Sequence, residues 1–301
     1  MIMDYLGTTF IPGEDPVGSE RRTVADQPVI IYKPNGKVSG LTFVLTAANI
    51  PLSKYQSIIN ALLSINHAVV GFFINVTRPI ANNHRMKAES IPVIFSALKS
   101  EFQVNNYNIV GHSVGGKIAL LTAALCDDGN FIRNVISLDP VDQTPVEFTH
   151  AKDSGVENLS LEKSQADITI TFTDSGYFIL KSHTGREIQK NNPSTKLILH
   201  RNTCHMVYCD DGGLLSWKAL TGWGSSADRN KVVKEQTLQL IKDTLTKSSI
   251  AGNASGAMNS VVGKAKKSVT GKISEAKEMA NETQKKGKSY VGMAKAFNVM
   301  G

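Results

Sequence analysis

Four short runs of this chain are apolar almost from end to end: LTFVL at 41–45, AVVGFFI at 68–74, YNIV at 107–110 and NVISL at 134–138. They neither alternate polar with apolar nor keep a helical spacing. A strand covered on both faces reads this way, because both rows of its side chains must leave water. Between and around these runs lie segments with apolar residues near helical spacing: Ser53 to Ile65, Arg85 to Phe102 and Lys117 to Leu125. Ser53 is the expected N-cap of the first, and Pro92 is expected to bend or restart the second. Further strands are predicted at PVIIY (28–32), DITITFT (167–173) and KLILH (196–200), and an amphipathic helix from Lys231 to Thr246. Strand and helix thus alternate over about 220 residues, which predicts an α/β fold: a mostly parallel central sheet with helices on both faces.

Three segments are expected. Residues 1–25 are polar and turn-rich and read as a loose lead-in, 26–246 as the α/β domain, and 247–301 as a basic tail, helical or disordered. The 301 residues carry a net charge of +7, all of it in the tail: from Lys247 onward there are ten lysines and three glutamates, and the first 246 residues balance at 23 basic and 23 acidic. A neutral body with no basic stripe argues against a nucleic-acid partner. The tail is rich in Gly, Ala, Ser and Lys, with Val262, Ala265, Val269, Ile273, Ala276 and Ala280 at spacings of three and four. That is a weak amphipathic pattern with lysines opposite, suited to peripheral contact with an anionic membrane surface; the alternative is a solvated extension. No apolar run approaches the ~18 residues that span a bilayer, and no basic-then-apolar leader opens the chain, so secretion is not expected. Three scattered cysteines, Cys126, Cys204 and Cys209, suit a reducing, intracellular setting.

The chemistry concentrates in YNIVGHSVGGKIALL, residues 107–121. A buried strand runs into Gly111-His112-Ser113-Val114-Gly115, and a helix leaves it. A G-x-S-x-G sequence alone is weak, but this strand–turn–helix context is what a nucleophile elbow demands. The turn is too tight for side chains at 111 and 115, and the helix start directs amides and a positive dipole at a developing oxyanion. Ser113 is therefore the candidate nucleophile. It needs a base, and the base needs an orienting carboxylate. Of the seven histidines, His67 and His84 precede the elbow, His112 lies within it, His150 and His183 lie in polar stretches, and His200 ends a strand. His205, just past that strand, is the candidate base. For the acid, Asp139 ends the strand NVISL in SLDPVD, with Asp142 and Asp174 as alternatives. Cys204, His205 and Cys209 lie close together, but lack a fourth ligand at short spacing, so no metal and no cofactor are expected.

These residues resemble the chlorophyllase family within the α/β-hydrolases over about 190 residues. GHSVGGK is similar to that family's GHSRGGK elbow, SLDPVDQT to its DPV segment with the triad aspartate, and CHMVYCDDG to its histidine segment. The resemblance implies an α/β-hydrolase fold, a Ser113–His205–Asp139 triad and hydrolysis of a lipophilic, chlorophyll-like ester through an acyl-enzyme. The expected location is the plastid or the cytoplasm, with membrane association through the tail. The oxyanion donors are expected to be the backbone amides of Val114 and Ala47. Where the family has His-Gly after the LTFVL strand, this chain reads Thr46-Ala47-Ala48. Losing one donor typically costs about 10²–10³ in rate, so a weakened enzyme, or an inactive protein that binds a lipid or pigment or serves in an assembly, is the alternative.

Overall fold

The computed structural model describes residues 18–47, 50–72, 80–126, 131–141, 159–174, 184–210 and 227–247. The chain divides into two compact units, Met1–Ser249 and Ile250–Gly301; the second, with nearly all of the basic tail, lies outside the described residues. So do Asp142, residues 143–158 of the polar insert, His150 and His183.

The apolar runs become the middle of a sheet. β3 (Gly40–Leu45) and β5 (Tyr107–His112) are buried at every residue, as two-sided covering requires. β4 is His67–Phe72, β6 Ile132–Leu138, β7 Asp167–Thr173 and β8 Lys196–His200. With β1 (Ser19–Val24) and β2 (Gln27–Tyr32) they form one eight-stranded sheet in the order β1-β2-β4-β3-β5-β6-β7-β8. β1–β2 and β2–β4 pair antiparallel, and the other neighbours pair parallel.

Alternate residues of each strand feed two cores. Leu41, Phe43 and Leu45 of β3 join Tyr107 and Ile109 of β5, and pack with Ile91, Phe95 and Leu98 of α2 (Ile80–Phe102) and Ile118 of α3 (Val114–Cys126). Val44, Val110 and Ile136 face the other way, toward Ile58, Ile59 and Leu62 of α1 (Gln56–Ser64) and Val233, Ile241 and Leu245 of α5, the helix at 227–247. Each fully buried Leu, Ile or Phe contributes ~1.5–3 kcal/mol of burial, so the side-chain pattern along the strands fixes the layering.

Four details depart from the sequence reading. Part of the lead-in is ordered: β1, SERRTV, is a polar edge strand paired from Ser19↔Tyr32 to Val24↔Gln27. Its charges hide it from an apolar search and also protect the sheet edge. Ser53 is not an N-cap; it lies inside a 3₁₀ turn, Leu52–Tyr55, and neither that turn nor α1 has a side-chain cap of its own. Instead Asp210 accepts from the Ser57 N–H at 2.9 Å and from the Ser57 hydroxyl at 2.5 Å. The third concerns α2, which begins at Ile80 and runs unbroken through Pro92. Proline removes the N–H that would reach the carbonyl of Ala88, and Thr122 Oγ1 of α3 approaches that oxygen at 3.4 Å. Finally, α4 (Thr184–Asn191) occupies a stretch where no helix was predicted.

Candidate active site

β5 runs straight into the elbow. Its last residue is His112, Ser113 has φ 58°, and α3 begins at Val114. A left-handed serine is strained, and such strain persists only where the surroundings enforce it. Here the enforcement is tight packing. A Cβ at Gly111 would stand 2.2 Å from the Gly115 carbonyl oxygen, and one at Gly115 would stand 2.4 Å from the Leu45 carbonyl oxygen. The backbone is also tied to the neighbouring strand: Ser113 N–H donates to Leu138 O at 2.9 Å, and Ser113 O accepts from Val141 N–H at 3.3 Å.

That tie sets Ser113 next to the end of β6, where Asp139 follows. In the parallel register His112 faces Leu138, so the next residues along, Ser113 and Asp139, leave the sheet at the same rim. Asp139 is the other strained turn of this rim, with φ 46°. Its N–H donates to Thr171 O at 2.8 Å. Its carboxylate accepts from Thr173 N–H at 3.2 Å and from the Thr173 hydroxyl at 2.6 Å. The same Oδ2 lies 2.8 Å from His205 Nδ1. A carboxylate accepts, so Nδ1 carries the proton and Nε2 is left as the basic nitrogen. Asp174, the alternative acid, accepts instead from Asn202 N–H at 2.6 Å, in the loop after β8. Asp142 is outside the described residues.

β7 and β8 pair through Thr173↔His200, which brings the chain after β8 to this rim. There His205 opens a 3₁₀ turn, His205–Tyr208, whose four residues are all buried. Ser113 and Asp139 are each 6% exposed and His205 3%, so the three side chains are withdrawn from bulk water.

His112 does more than pass the chain through the turn. Its ring lies 4.7 Å from the His205 ring, centroid to centroid. Its Nε2 is 3.0 Å from the His205 carbonyl oxygen, and its Nδ1 is 2.8 Å from Tyr55 Oη. Burial, then the nearby His205, holds its pKa well below the ordinary value, so the ring is neutral. A nitrogen facing a carbonyl must donate, so the proton sits on Nε2, and Nδ1 accepts from the tyrosine hydroxyl.

The oxyanion side is divided. Val114 opens α3, where a first-turn N–H has no acceptor within the helix. The Ala47 N–H, the other expected donor, instead donates to Tyr55 Oη at 2.8 Å. Ala48 is outside the described residues. Tyr55, His112 and Thr173 were missed in the sequence. His112 carried a signal, because it sits inside the motif, but nothing in SKYQ marks Tyr55 as reaching residue 112.

Neither Cys204 nor Cys209 is disulfide-bonded. Burial pushes the Cys209 thiol up to about 12, which keeps it protonated and non-nucleophilic. Among the described residues no three His, Cys, Asp or Glu side chains group as metal ligands. No described helix is long and apolar enough to cross a membrane.

No protein-family model matches the chain, and no curated protein matches it either. Solved structures do. Est1E from Butyrivibrio proteoclasticus is 13% identical, with a TM-score of 0.54 over 76% of this chain and 99% of that one. A membrane phospholipase A is 12% identical, with a TM-score of 0.50 over 76% of this chain and 86% of that one. An esterase of Pyrococcus furiosus is 10% identical, with a TM-score of 0.49 over 77% of this chain and 92% of that one. At such identities a likeness speaks for architecture alone. With the mostly parallel eight-stranded sheet and its flanking helices, it establishes that this chain has the α/β-hydrolase fold.

Proposed function

We propose that the protein is a serine ester hydrolase working through Ser113, His205 and Asp139. The observation that carries this reading is the 2.8 Å contact from Asp139 to His205 on the rim where Ser113 stands at positive φ. Ser113 Oγ attacks the ester carbonyl carbon while His205 Nε2 takes its proton. Asp139 holds the Nδ1–H and stabilises the imidazolium. The tetrahedral oxyanion is met by the Val114 N–H and the N-terminal end of α3. His205 returns the proton to the departing alkoxide, an acyl-serine remains, and water activated by the same histidine hydrolyses it. The scheme requires no metal or organic cofactor. The chlorophyllase resemblance makes the substrate a small lipophilic ester, chlorophyll-like at the closest. The test is labelling with a fluorophosphonate, followed by assays on a short-chain p-nitrophenyl ester and on chlorophyll. Wild type is expected to label and turn over, and Ser113→Ala to do neither. Equal rates in the two would remove Ser113 from the mechanism.

One observation favours a second reading, a weakened enzyme or a non-catalytic binder of a lipid or pigment: the Ala47 N–H is engaged by Tyr55. A correctly folded wild type that stays silent to the probe would favour it. The tail carries a separate proposal, peripheral attachment to anionic membranes, supported by its ten lysines against three glutamates. Flotation on phosphatidylserine-containing vesicles should be lost when the residues after 247 are removed. Unchanged flotation would discard it.

A further inference from the structure

Four groups from four separate parts of the chain form a continuous buried path of hydrogen bonds. Ala47, just past β3, donates its N–H to Tyr55 Oη at 2.8 Å. Accepting that hydrogen bond, the Tyr55 hydroxyl directs its own proton at His112 Nδ1, 2.8 Å away. His112, protonated on Nε2, donates to the His205 carbonyl oxygen at 3.0 Å. Tyr55 and His112 are each 1% exposed, so water does not compete for these partners. The path therefore joins the oxyanion loop at one end to the backbone of the base at the other, and it crosses the residue preceding the nucleophile.

We propose that Tyr55 and His112 are positioning residues of the hydrolase, and that the Tyr55 hydroxyl acts as a tautomer lock. This rests on the reading of Ser113, His205 and Asp139 as the triad, and it goes beyond that reading by assigning work to two residues outside the triad. The logic is one of proton count. A neutral imidazole has one N–H, and it can sit on either nitrogen. The tyrosine proton directed at Nδ1 makes the Nδ1–H form repulsive, so the N–H stays on Nε2. Only that form can hold the His205 carbonyl. In the other form a ring lone pair would face the carbonyl oxygen, and the 3₁₀ turn carrying His205 would lose its anchor. The side chain of His205 is steered by Asp139; its main chain is steered by His112.

The neighbouring groups are consistent with such a lock. Burial first, and then the nearby Cys209, raises the Tyr55 pKa well above the ordinary value, so its hydroxyl keeps its proton. Cys209 Sγ lies 3.7 Å from His112 Nδ1, a longer and weaker contact than the tyrosine makes. The Tyr55 and His112 rings meet edge-on at 5.8 Å, and the Tyr208 ring lies 5.2 Å from that of His112, centroid to centroid. The imidazole thus has two tyrosine rings packed near it.

The experiment compares wild type with Tyr55→Phe, which keeps the ring and removes only the hydroxyl. Two readouts are taken. Nitrogen-15 NMR of labelled histidine reports the tautomer of His112 directly and needs no substrate. Fluorophosphonate labelling and p-nitrophenyl ester turnover report the reaction. Wild-type His112 is expected to be neutral and Nε2-protonated at pH 7. Tyr55→Phe is expected to show a mixed or Nδ1-protonated His112, with kcat and labelling rate lowered ten- to a hundredfold and KM within about twofold. A wild-type His112 carrying its proton on Nδ1 would overturn the proposal whether or not the variant folds. So would a folded Tyr55→Phe with wild-type tautomer or wild-type kcat. A wild type that shows the Nε2–H tautomer but does not react with the probe would count against the hydrolase reading and, with it, the positioning role.

Discussion

At the scale of single residues, the candidate site depends on two side chains held where L-residues rarely sit. Ser113 and Asp139 both adopt positive φ at the ends of adjacent strands. Such conformations cost of order 1–3 kcal/mol each, and here both occur where the chain leaves paired strands at one rim of the sheet. Asp139→Asn keeps the shape but offers an amide where the imidazole needs a carboxylate. It is expected to lower kcat by about 10³–10⁴-fold, with KM little changed, in the p-nitrophenyl ester assay. A second residue-scale prediction concerns His67, at the opposite end of the sheet. Burial lowers its pKa to about 4 from 6.5, and its Nδ1 lies 2.8 Å from Thr42 Oγ1. The unfolded chain binds this proton more readily than the folded one. Stability is therefore whole above pH 6.5 and falls as the pH drops toward about 4, by up to about 3 kcal/mol from this group. Urea midpoints from pH 7 to 4 should decline less steeply in His67→Gln than in wild type.

At the scale of elements, α2 and α3 show how a helix survives a misplaced residue. Pro92 sits in the interior of α2, where it costs ~3 kcal/mol in an ordinary helix. The burial of Ile91, Ile94, Phe95 and Leu98 against the sheet outweighs that cost. Pro92→Ala restores the N–H for the Ala88 carbonyl and is expected to raise stability by about 1–3 kcal/mol, read as a higher denaturant midpoint. An unchanged or lower midpoint would mean that Thr122 already satisfies the carbonyl. The periodicity of 85–102 was plain in the sequence. The continuity of the helix was not, because local rules weigh a proline without knowing what the helix packs on. In the same way β1 carried no apolar signal, and became a strand because β2 offered a free edge.

At the scale of the whole folded unit, Asp210 joins three distant parts of the chain. It caps the start of α1 through Ser57 and pairs with Lys234 of α5, and it lies just after the turn that bears His205. Lys234 also donates to the Cys209 carbonyl at 3.0 Å. Burial pushes the Asp210 carboxyl upward, but the hydrogen bonds from Lys234 and Ser57 outweigh it and hold the pKa below the ordinary value. Its contribution is thus present above the ordinary carboxylate range and is lost as acid protonates it. Asp210→Ala is expected to cost about 1–3 kcal/mol by denaturant melt, because it leaves the Ser57 N–H and a partly buried lysine without this acceptor. The proposed esterase activity should fall as well, since the clasp holds the segment next to His205.

The sequence by itself determined the parallel core, the two-faced layering and the elbow, because each is written in contiguous residues: unbroken apolar runs for the strands, small residues where a turn is tight. It also marked His205 and Asp139 as the groups to watch, since both follow a strand end. What only the tertiary structure decided are the contacts between segments far apart in the chain. The cap on α1 comes from Asp210, 153 residues beyond Ser57. The acceptor for the Ala47 N–H is Tyr55, and the partner of the His205 backbone is His112. A local pattern records which atoms must leave water, but the choice of a hydrogen-bond partner depends on distance in space, and that exists only once the sheet has brought its strand ends together.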